Sequence, residues 1–303
     1  MKQVDIKGII VPIITPMNED ESINTDVLKE QCDRMIDAGI HAIFCFGTNG
    51  EGYILNGKEK ELVLSTVVKH VNGRVPVYAG TGCVSTKETI EQSKMAEACG
   101  ADVLSIITPS FAAASQDEIQ RHYETVAASV PDMPIVLYNI PARTGNKIDP
   151  KTVGKLAQVD NIVGAKDSGG DFKNILGYIE AGKSRKSGDF AVLSGNDQLI
   201  LWTLQAGGTG AISGCANVYP HNMASIYDEF VAGNWTEAKK CQDAIGPFRD
   251  NFAGANPNTV VKTAVRLLGH NVGLCRAPFN MIPDAKIDAI KKTLEVDKQK
   301  GLW

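Results

Sequence analysis

The chain has 303 residues, enough for one large domain or two ordinary ones with a substantial core. Hydrophobic residues make up 43% of it and charged residues 22%, and 31 basic against 35 acidic residues leave a net charge of −4. The charges form no basic stripe that would bind nucleic acid, and no segment approaches the roughly 18 apolar residues of a membrane span. We therefore expect neither nucleic acid nor a membrane as a partner.

Cysteine and histidine are distributed without a pattern that would suggest a disulfide framework or a metal site. The seven cysteines are scattered singly, with no CxxC pair, and the N-terminus has no secretory signal. An odd count in this context predicts reduced thiols and a cytoplasmic protein. The five histidines form no HExxH motif or paired ligand set, so we expect no metal.

Taken in chain order, the apolar runs predict eight buried strands separated by roughly thirty residues. They cover residues 8–14, 41–46, 75–79, 102–107, 134–138, 162–165, 190–193 and 210–213. Amphipathic stretches between them predict helices, of which residues 24–38 are the clearest example. Ser85 and Ser115 each stand three residues before a glutamate, the spacing of a helix-opening capping box.

Near-continuous apolar strands that alternate with helices indicate a parallel sheet covered on both faces. Eight such units predict an α/β fold, a (β/α)8 TIM barrel over residues 1–218 that forms the catalytic domain. A doubly wound open sheet is the alternative, but the first strand leads into Ile14-Thr15-Pro16-Met17 rather than a glycine-rich dinucleotide turn. Residues 219–303 contain helical patterns and no good strand, and we interpret them as a C-terminal α-helical appendage.

Lys166 is the most informative single residue. It closes an apolar run that begins at Ile162 and otherwise has the character of a buried strand. Burial disfavours the charged form of a lysine and lowers its pKa, and the free amine can then form a Schiff base with a ketone. The alternative is a strand-end lysine whose ammonium reaches solvent.

The residues at the predicted strand ends are predominantly hydroxyls and amides, with one amine and one phenol among them. Active sites of TIM barrels lie at this end of the strands, so the composition favours a small polar substrate attacked by Lys166. The glycine-flanked segment after the second strand has backbone amides that can approach a carboxylate closely. The strand-end segments are Thr15, Gly47-Thr48-Asn49-Gly50-Glu51, Gly80-Thr81-Gly82, Thr108-Pro109, Tyr138-Asn139, Lys166-Asp167-Ser168, Ser194-Gly195-Asn196 and Ser213-Gly214.

Three of these motifs, in this order and at these separations, resemble the dihydrodipicolinate synthase and N-acetylneuraminate lyase family of pyruvate-dependent class I aldolases. The likeness covers essentially the whole chain. The motifs are Gly47-Thr48-Asn49-Gly50-Glu51, Tyr138-Asn139-Ile140-Pro141-Ala142-Arg143-Thr144-Gly145 and Val163-Gly164-Ala165-Lys166-Asp167-Ser168.

The resemblance implies a role for each motif. Lys166 would form the Schiff base with pyruvate, and Tyr138 would be the general acid and base. Thr48 and the backbone at Asn49, beside Gly47, would bind the pyruvate carboxylate, with Thr48 also in the proton relay. The carbonyl of Ile212 would face the reacting centre, and Ser168 completes the lysine motif as a further candidate substrate contact. No metal or organic cofactor is implied.

Arg143 is the residue that bears most on the second substrate. In the synthases of this family, the arginine of the Pro-x-Arg-Thr-Gly segment binds the carboxylate of the incoming aldehyde, L-aspartate 4-semialdehyde. A guanidinium binds a carboxylate through two parallel hydrogen bonds. The alternative is a structural contact that fixes the loop. The sialic acid lyases have a different residue here.

Two positions depart from the pattern of the synthases. Phe111 stands where the family usually has a tyrosine offered across a subunit interface, in Thr108-Pro109-Ser110-Phe111. Asn49 stands where the synthases have a second threonine, as in the Ser-Asn-Gly-Glu form of 4-hydroxy-2-oxoglutarate aldolases. Both changes leave the Schiff-base residues intact.

The resemblance therefore implies a pyruvate-dependent Schiff-base carbon–carbon lyase or synthase that acts on pyruvate and an aldehyde or 2-oxo acid. The first hypothesis is condensation of pyruvate with L-aspartate 4-semialdehyde, the reaction of the dihydrodipicolinate synthases in lysine biosynthesis. The alternative is an aldolase that releases pyruvate from a 2-keto-3-deoxy sugar acid or 4-hydroxy-2-oxoglutarate. A dehydratase and a non-catalytic pyruvate-binding sensor rank below these. The family resemblance also implies a homotetramer, a dimer of dimers.

Overall fold

The computed structural model describes residues 2–302, and eight parallel strands in this range form a closed barrel in the order β1 to β8. This confirms the predicted TIM barrel. The strands are β1 (Gly8–Pro12), β2 (Ala42–Cys45), β3 (Val77–Gly80), β4 (Val103–Ile107), β5 (Ile135–Asn139), β6 (Ile162–Asp167), β7 (Ala191–Ser194) and β8 (Gly210–Ile212).

Helices alternate with the strands and continue beyond the last one. They are α1 (Thr25–Asp37), α2 (Gly57–Val71), α3 (Thr86–Ala98), α4 (Gln116–Ser129), α5 (Pro141–Thr144), α6 (Pro150–Leu156), α7 (Phe172–Gly182), α8 (Ile200–Gln205), α9 (Pro220–Val231), α10 (Trp235–Ala244), α11 (Gly246–Asp250), α12 (Pro257–Leu267) and α13 (Asp284–Gln299). Short 3₁₀ turns follow β7 at Asp197–Leu199 and β8 at Cys215–Asn217. Across residues 2–302, no helix combines the length and the apolar character needed to cross a bilayer.

Each predicted apolar run overlaps a strand, but the run predicted for β6 was too short. The run was predicted to end at Ala165, whereas β6 continues through Lys166 and Asp167. Both residues pair with β5 on one side and β7 on the other. The prediction was based on hydropathy and therefore stopped before Lys166, the first charged residue, although the backbone pairing continues through Asp167.

The two predicted capping boxes mark the correct helix starts, but only one of them forms both capping hydrogen bonds. Ser115 and Glu118 form a full capping box, each side chain accepting from the other's backbone N–H. Ser85 accepts from the backbone N–H of Glu88, which supplies one of the two hydrogen bonds of a capping box. Asn56 opens α2 with a complete capping box, which was not among the predicted helix starts.

The chain divides into two compact units. One contains the residues up to Gly8 together with Pro76–Ile212, and the other contains Ile9–Val75 together with the residues from Ser213 onward. The second unit therefore combines β2, α1 and α2 with the helices α9 to α13. Residues 219–302 form helices and no strand, while the predicted domain boundary after residue 218 stays a prediction.

Candidate active site

The pairing of β5 with β6 places Lys166 beside Tyr138. The two strands are parallel, with Tyr138 in register with Lys166 and Asn139 with Asp167. Lys166 is 5% exposed and Tyr138 is 4% exposed, and the Nζ atom of Lys166 lies 3.8 Å from the centroid of the Tyr138 ring. The alternative of a lysine reaching solvent is therefore excluded, and the two predicted catalytic residues are brought together.

A buried cluster of polar side chains stands next to this pair. Side chains alternate between the two faces of a strand, so Asn139 and Asp167 point away from Tyr138 and Lys166. The Asp167 carboxylate is fully buried and accepts hydrogen bonds from Asn139 Nδ2 at 2.7 Å, Asn174 Nδ2 at 2.5 Å and the Gly169 N–H at 3.0 Å. The cluster ties the ends of β5 and β6 to the first turn of α7.

Tyr178 on α7 extends the cluster towards the segment after α5. Burial raises the pKa of Tyr178 far above its usual value, and the nearby Asp167 carboxylate raises it further while a hydrogen bond with Asn174 opposes the shift. The phenol therefore stays protonated and donates to the carbonyl of Ile148 at 2.5 Å. The N–H of Ile148 in turn donates to Asn139 Oδ1 at 2.9 Å.

Gly195, which follows β7, leaves space for the lysine side chain. A Cβ atom at this position would lie 1.9 Å from Ser168 Oγ and 2.7 Å from Lys166 Cε, closer than real Cβ atoms come to their neighbours. Its N–H donates to the Asp167 carbonyl at 2.6 Å, and the Ser168 N–H donates to the Asn139 carbonyl at 2.8 Å. Ser168 is thus held at the end of β6 close to Lys166.

Two further predicted residues of this unit are Ile212 and Arg143, which lie at or shortly after the end of a strand. Ile212 is the last residue of β8 and is 2% exposed. Arg143 lies on α5, a single turn that begins at Pro141 shortly after β5, and its side chain is exposed. The sequence motif that carries Arg143 therefore continues from the strand that carries Tyr138.

The predicted carboxylate-binding residues form a tight loop, residues 47–51, in the second compact unit. Phe46, which precedes the loop, and Glu51, its last residue, have positive φ of 67° and 57°. The Glu51 N–H donates to the Thr48 carbonyl at 3.2 Å, which closes the turn. A Cβ atom at Gly47 would lie 2.9 Å from the Pro12 side chain, so this position requires glycine for close packing.

Asn49 is almost fully buried in this loop, and Thr48 is half-buried beside it. A Cβ atom at Gly214 would lie 2.5 Å from Asn49 Nδ2, so the amide packs against the backbone of the residue after Ser213. The absence of a side chain at Gly214 therefore makes room for Asn49.

The sequence analysis missed two residues that contact this loop, Lys262 and Arg276. Lys262 Nζ donates to Glu51 Oε1 at 2.7 Å, and the Arg276 backbone N–H donates to Glu51 Oε2 at 2.8 Å. Lys262 lies within an α12 segment that is buried throughout from Asn258 to Val265. A lysine within an apolar segment was the signal that identified Lys166, and the same signal was present here.

Among residues 2–302, no group of three or more His, Cys, Asp or Glu side chains is arranged to hold a metal ion. The chemistry available at Lys166 and Tyr138 is that of an amine beside a phenol. An amine in this setting can form an imine, and a phenol can transfer protons.

Comparison with known proteins gives a consistent result. A model of the dihydrodipicolinate synthetase family matches residues 5–297. The 4-hydroxy-tetrahydrodipicolinate synthase of Methanoculleus marisnigri is 37% identical over 291 residues, which cover 95% of this chain and 98% of the relative. The enzyme of the same name from Acetivibrio thermocellus is 37% identical over 296 residues, which cover 97% and 98%.

Solved structures agree with the sequence comparison. The chloride-inhibited dihydrodipicolinate synthase from Acinetobacter baumannii, solved in complex with pyruvate, matches with a TM-score of 0.92 at 30% identity, covering 97% of this chain and 99% of that one. The fold, the three strand-end motifs and these matches over nearly the full length agree, and the chain therefore belongs to the dihydrodipicolinate synthetase family.

Proposed function

We propose that this protein condenses pyruvate with L-aspartate 4-semialdehyde through a Schiff base at Lys166. The observation that carries the proposal is the buried Lys166 amine 3.8 Å from the ring of Tyr138, on paired strands of a family barrel. Relatives that match along nearly their whole length are named 4-hydroxy-tetrahydrodipicolinate synthase.

In the proposed reaction, the Lys166 amine attacks the C2 carbonyl of pyruvate to give a carbinolamine, which loses water to form a protonated imine. The imine withdraws electrons, so the pyruvate methyl group loses a proton and becomes a nucleophilic enamine. The enamine carbon forms a bond with the aldehyde carbon, and water then releases the product from the lysine. The face of the Tyr138 ring stabilises the positive charge of the imine, and the Tyr138 hydroxyl transfers the protons.

Thr48 and the backbone at Asn49, beside Gly47, are proposed to bind the pyruvate carboxylate, with the Ile212 carbonyl and Ser168 as further substrate contacts. The tight turn of residues 47–51 supports the first assignment, since successive N–H groups in such a turn can surround an anion. No cofactor takes part in this scheme. We also propose a cytoplasmic location, which suits the seven free cysteines of the chain.

A second candidate reaction is the release of pyruvate from 4-hydroxy-2-oxoglutarate or a 2-keto-3-deoxy sugar acid. Asn49 and Phe111 favour it, because each departs from the pattern of the synthases. Asn49 is buried against Gly214, so its amide is a fixed part of the loop. The two reactions share the Lys166 imine and differ in the second substrate.

Reduction with borohydride in the presence of pyruvate should label Lys166, because it converts the imine to a stable amine that intact-protein mass spectrometry detects. Lys166→Ala should abolish the label, whereas Lys155→Ala, which removes an exposed lysine hydrogen-bonded to Gln120, should keep it. Preincubation with aspartate semialdehyde should diminish the label by turnover. A label that aspartate semialdehyde leaves unchanged, but that forms without added pyruvate when 4-hydroxy-2-oxoglutarate or a sugar acid is supplied, would transfer the assignment to the aldolase reaction.

Tyr138→Phe should lower turnover by about 10²-fold or more, the usual contribution of a general acid–base residue. The substitution retains the aromatic ring next to Lys166 Nζ. Borohydride should therefore still label Lys166 after a long reaction time, but the rate of labelling should fall. The matched control is Tyr123→Phe, which removes a buried hydroxyl that donates to the Ile106 carbonyl. Turnover of Tyr138→Phe equal to that of the native protein would remove Tyr138 from the proposed proton transfer.

Arg143→Ala should raise the KM for aspartate semialdehyde by roughly 10-fold or more, because charge-assisted bidentate hydrogen bonds are among the stronger polar contacts. Half-saturation by pyruvate should change little, since the loop at residues 47–51 is proposed to bind that carboxylate. Arg121→Ala, which removes another exposed arginine, should change neither constant. An unchanged semialdehyde KM in Arg143→Ala would leave Arg143 a structural contact.

The protein is further proposed to be a homotetramer, with Phe111 in a subunit interface. Phe111 is fully exposed at a φ of 80°, and Asn146 holds its loop by donating to the carbonyls of Pro109 and Ala112, each at 2.8 Å. Sedimentation velocity should give a tetramer for the native chain and a smaller species for Phe111→Glu. Val231→Glu, which also places a charge at an exposed apolar position, should stay tetrameric, and a native monomer would refute the assembly.

A further inference from the structure

The loop at residues 47–51 is held in a strained backbone conformation. Phe46 and Glu51, one on each side of Gly47 and Gly50, occupy the left-handed region that side chains other than glycine rarely adopt. The carbonyl of Phe46 lies 2.2 Å from the position of a Cβ at Gly52, so the chain is also tightly folded on itself. Strain of this kind persists only where the surroundings fix the conformation, and it concentrates at functional sites.

Glu51 is the point at which the surroundings hold the loop. Its side chain is fully buried, and both carboxylate oxygens accept hydrogen bonds at 2.7 and 2.8 Å, one from Lys262 Nζ and one from the Arg276 backbone N–H. Charge-assisted hydrogen bonds are stronger than neutral ones. A rotation of Glu51 out of its left-handed conformation would break both bonds and leave a buried carboxylate without partners.

Lys262 makes a second connection to the same loop. Its Nζ atom also donates to the Thr15 carbonyl at 2.8 Å, and the Thr15 hydroxyl donates to the Gly50 carbonyl at 2.7 Å. Lys262 is 1% exposed, so little solvent competes for these contacts. One ammonium group therefore fixes Glu51 directly and Gly50 through Thr15.

Arg276 is itself held in place, which fixes the direction of its N–H. Its guanidinium donates to both carboxylate oxygens of Glu59 at 2.7 and 2.9 Å, and to the carbonyl of Glu21 at 2.6 Å. The hydrogen bond from Arg276 lowers the pKa of Glu59, so this ion pair persists throughout the neutral range. Glu59 lies in the first turn of α2, the helix that follows the loop.

We propose that Glu51 and Lys262 are positioning residues that hold residues 47–51 in the conformation that binds the pyruvate carboxylate. The inference rests on the function proposed above and adds two residues that act on substrate only through Thr48 and Asn49. A buried ion pair is often no more stabilising than apolar residues of the same volume. Its value here is the fixed geometry of the loop, which apolar side chains would not supply.

The test compares Lys262→Met and Glu51→Gln with the native chain. Each substitution keeps the approximate side-chain volume and removes one charge of the pair. The measured quantity is the pyruvate concentration that gives half-maximal borohydride labelling of Lys166, determined well below the melting temperature of each variant. Both variants should need roughly tenfold more pyruvate or more, because small displacements of binding groups have large effects on reactivity. Maximal labelling at saturating pyruvate should stay close to that of the native chain.

Tyr219→Phe is the matched control for destabilisation. It removes a buried hydroxyl that donates to Asp297 Oδ2 at 2.5 Å, in the same compact unit but outside the hydrogen bonds that hold residues 47–51. Its melting temperature should fall while its half-saturating pyruvate concentration stays within about twofold of the native value, the range left by distant independent sites. An increase equal to that of Lys262→Met would show that loss of stability alone shifts pyruvate binding, and would overturn the inference.

Thr15→Val provides the test if neither charge variant folds. It removes only the hydroxyl bond to Gly50 and should raise the half-saturating concentration at least about threefold, as expected for the loss of one buried hydrogen bond. Folded variants with native half-saturation would overturn the positioning role and leave the Schiff-base function standing. A native chain that pyruvate does not label would overturn the proposed function and, with it, this inference.

Discussion

The register of the β5–β6 pair is the constraint on which the rest of the proposed chemistry depends. It sets Tyr138 opposite Lys166 and Asn139 opposite Asp167. Because side chains alternate across a sheet, a slip of one residue in either strand would turn its proposed catalytic side chain to the opposite face. The Asp167 cluster with Asn139 and Asn174 makes such a slip costly, since it would separate a buried carboxylate from its amide donors.

The proposed site residues on β5 and β6 and those in the loop at residues 47–51 are held in place by different interactions. Lys166 and Tyr138 lie on paired strands, so hydrogen-bonded backbone on both sides of β6 fixes them without strain. Residues 47–51 have no such pairing and depend on side-chain contacts from elsewhere in their compact unit. The left-handed backbone at Phe46 and Glu51 is stable only because buried hydrogen bonds compensate for it.

The fold was predictable from sequence because its strands and helix starts leave local signals. Strands such as β5 and β6 are apolar runs of the right length, and Ser115 with Glu118 marks a helix start at a fixed spacing. The end of β6 was predicted two residues too early. Lys166 and Asp167 belong to the strand because they pair with β5 and β7, and hydropathy does not report such pairing. The contacts of Lys262 and Arg276 with Glu51 span more than 200 residues of sequence, and no local pattern encodes them.

Lys166 and Lys262 show why burial alone does not identify a catalytic lysine. Both interrupt apolar segments, and both are almost completely buried. Lys262 directs its ammonium at a carboxylate and a carbonyl, so its donors are committed to holding the chain together. Lys166 has an aromatic ring face next to its Nζ, and Gly195 leaves the space that its Cε occupies. An imine adds the carbon atoms of its substrate to the lysine nitrogen, so a reactive lysine needs adjacent space and a surface that tolerates positive charge. The contacts of each ammonium group, rather than its burial, separate the proposed nucleophile from the structural cation.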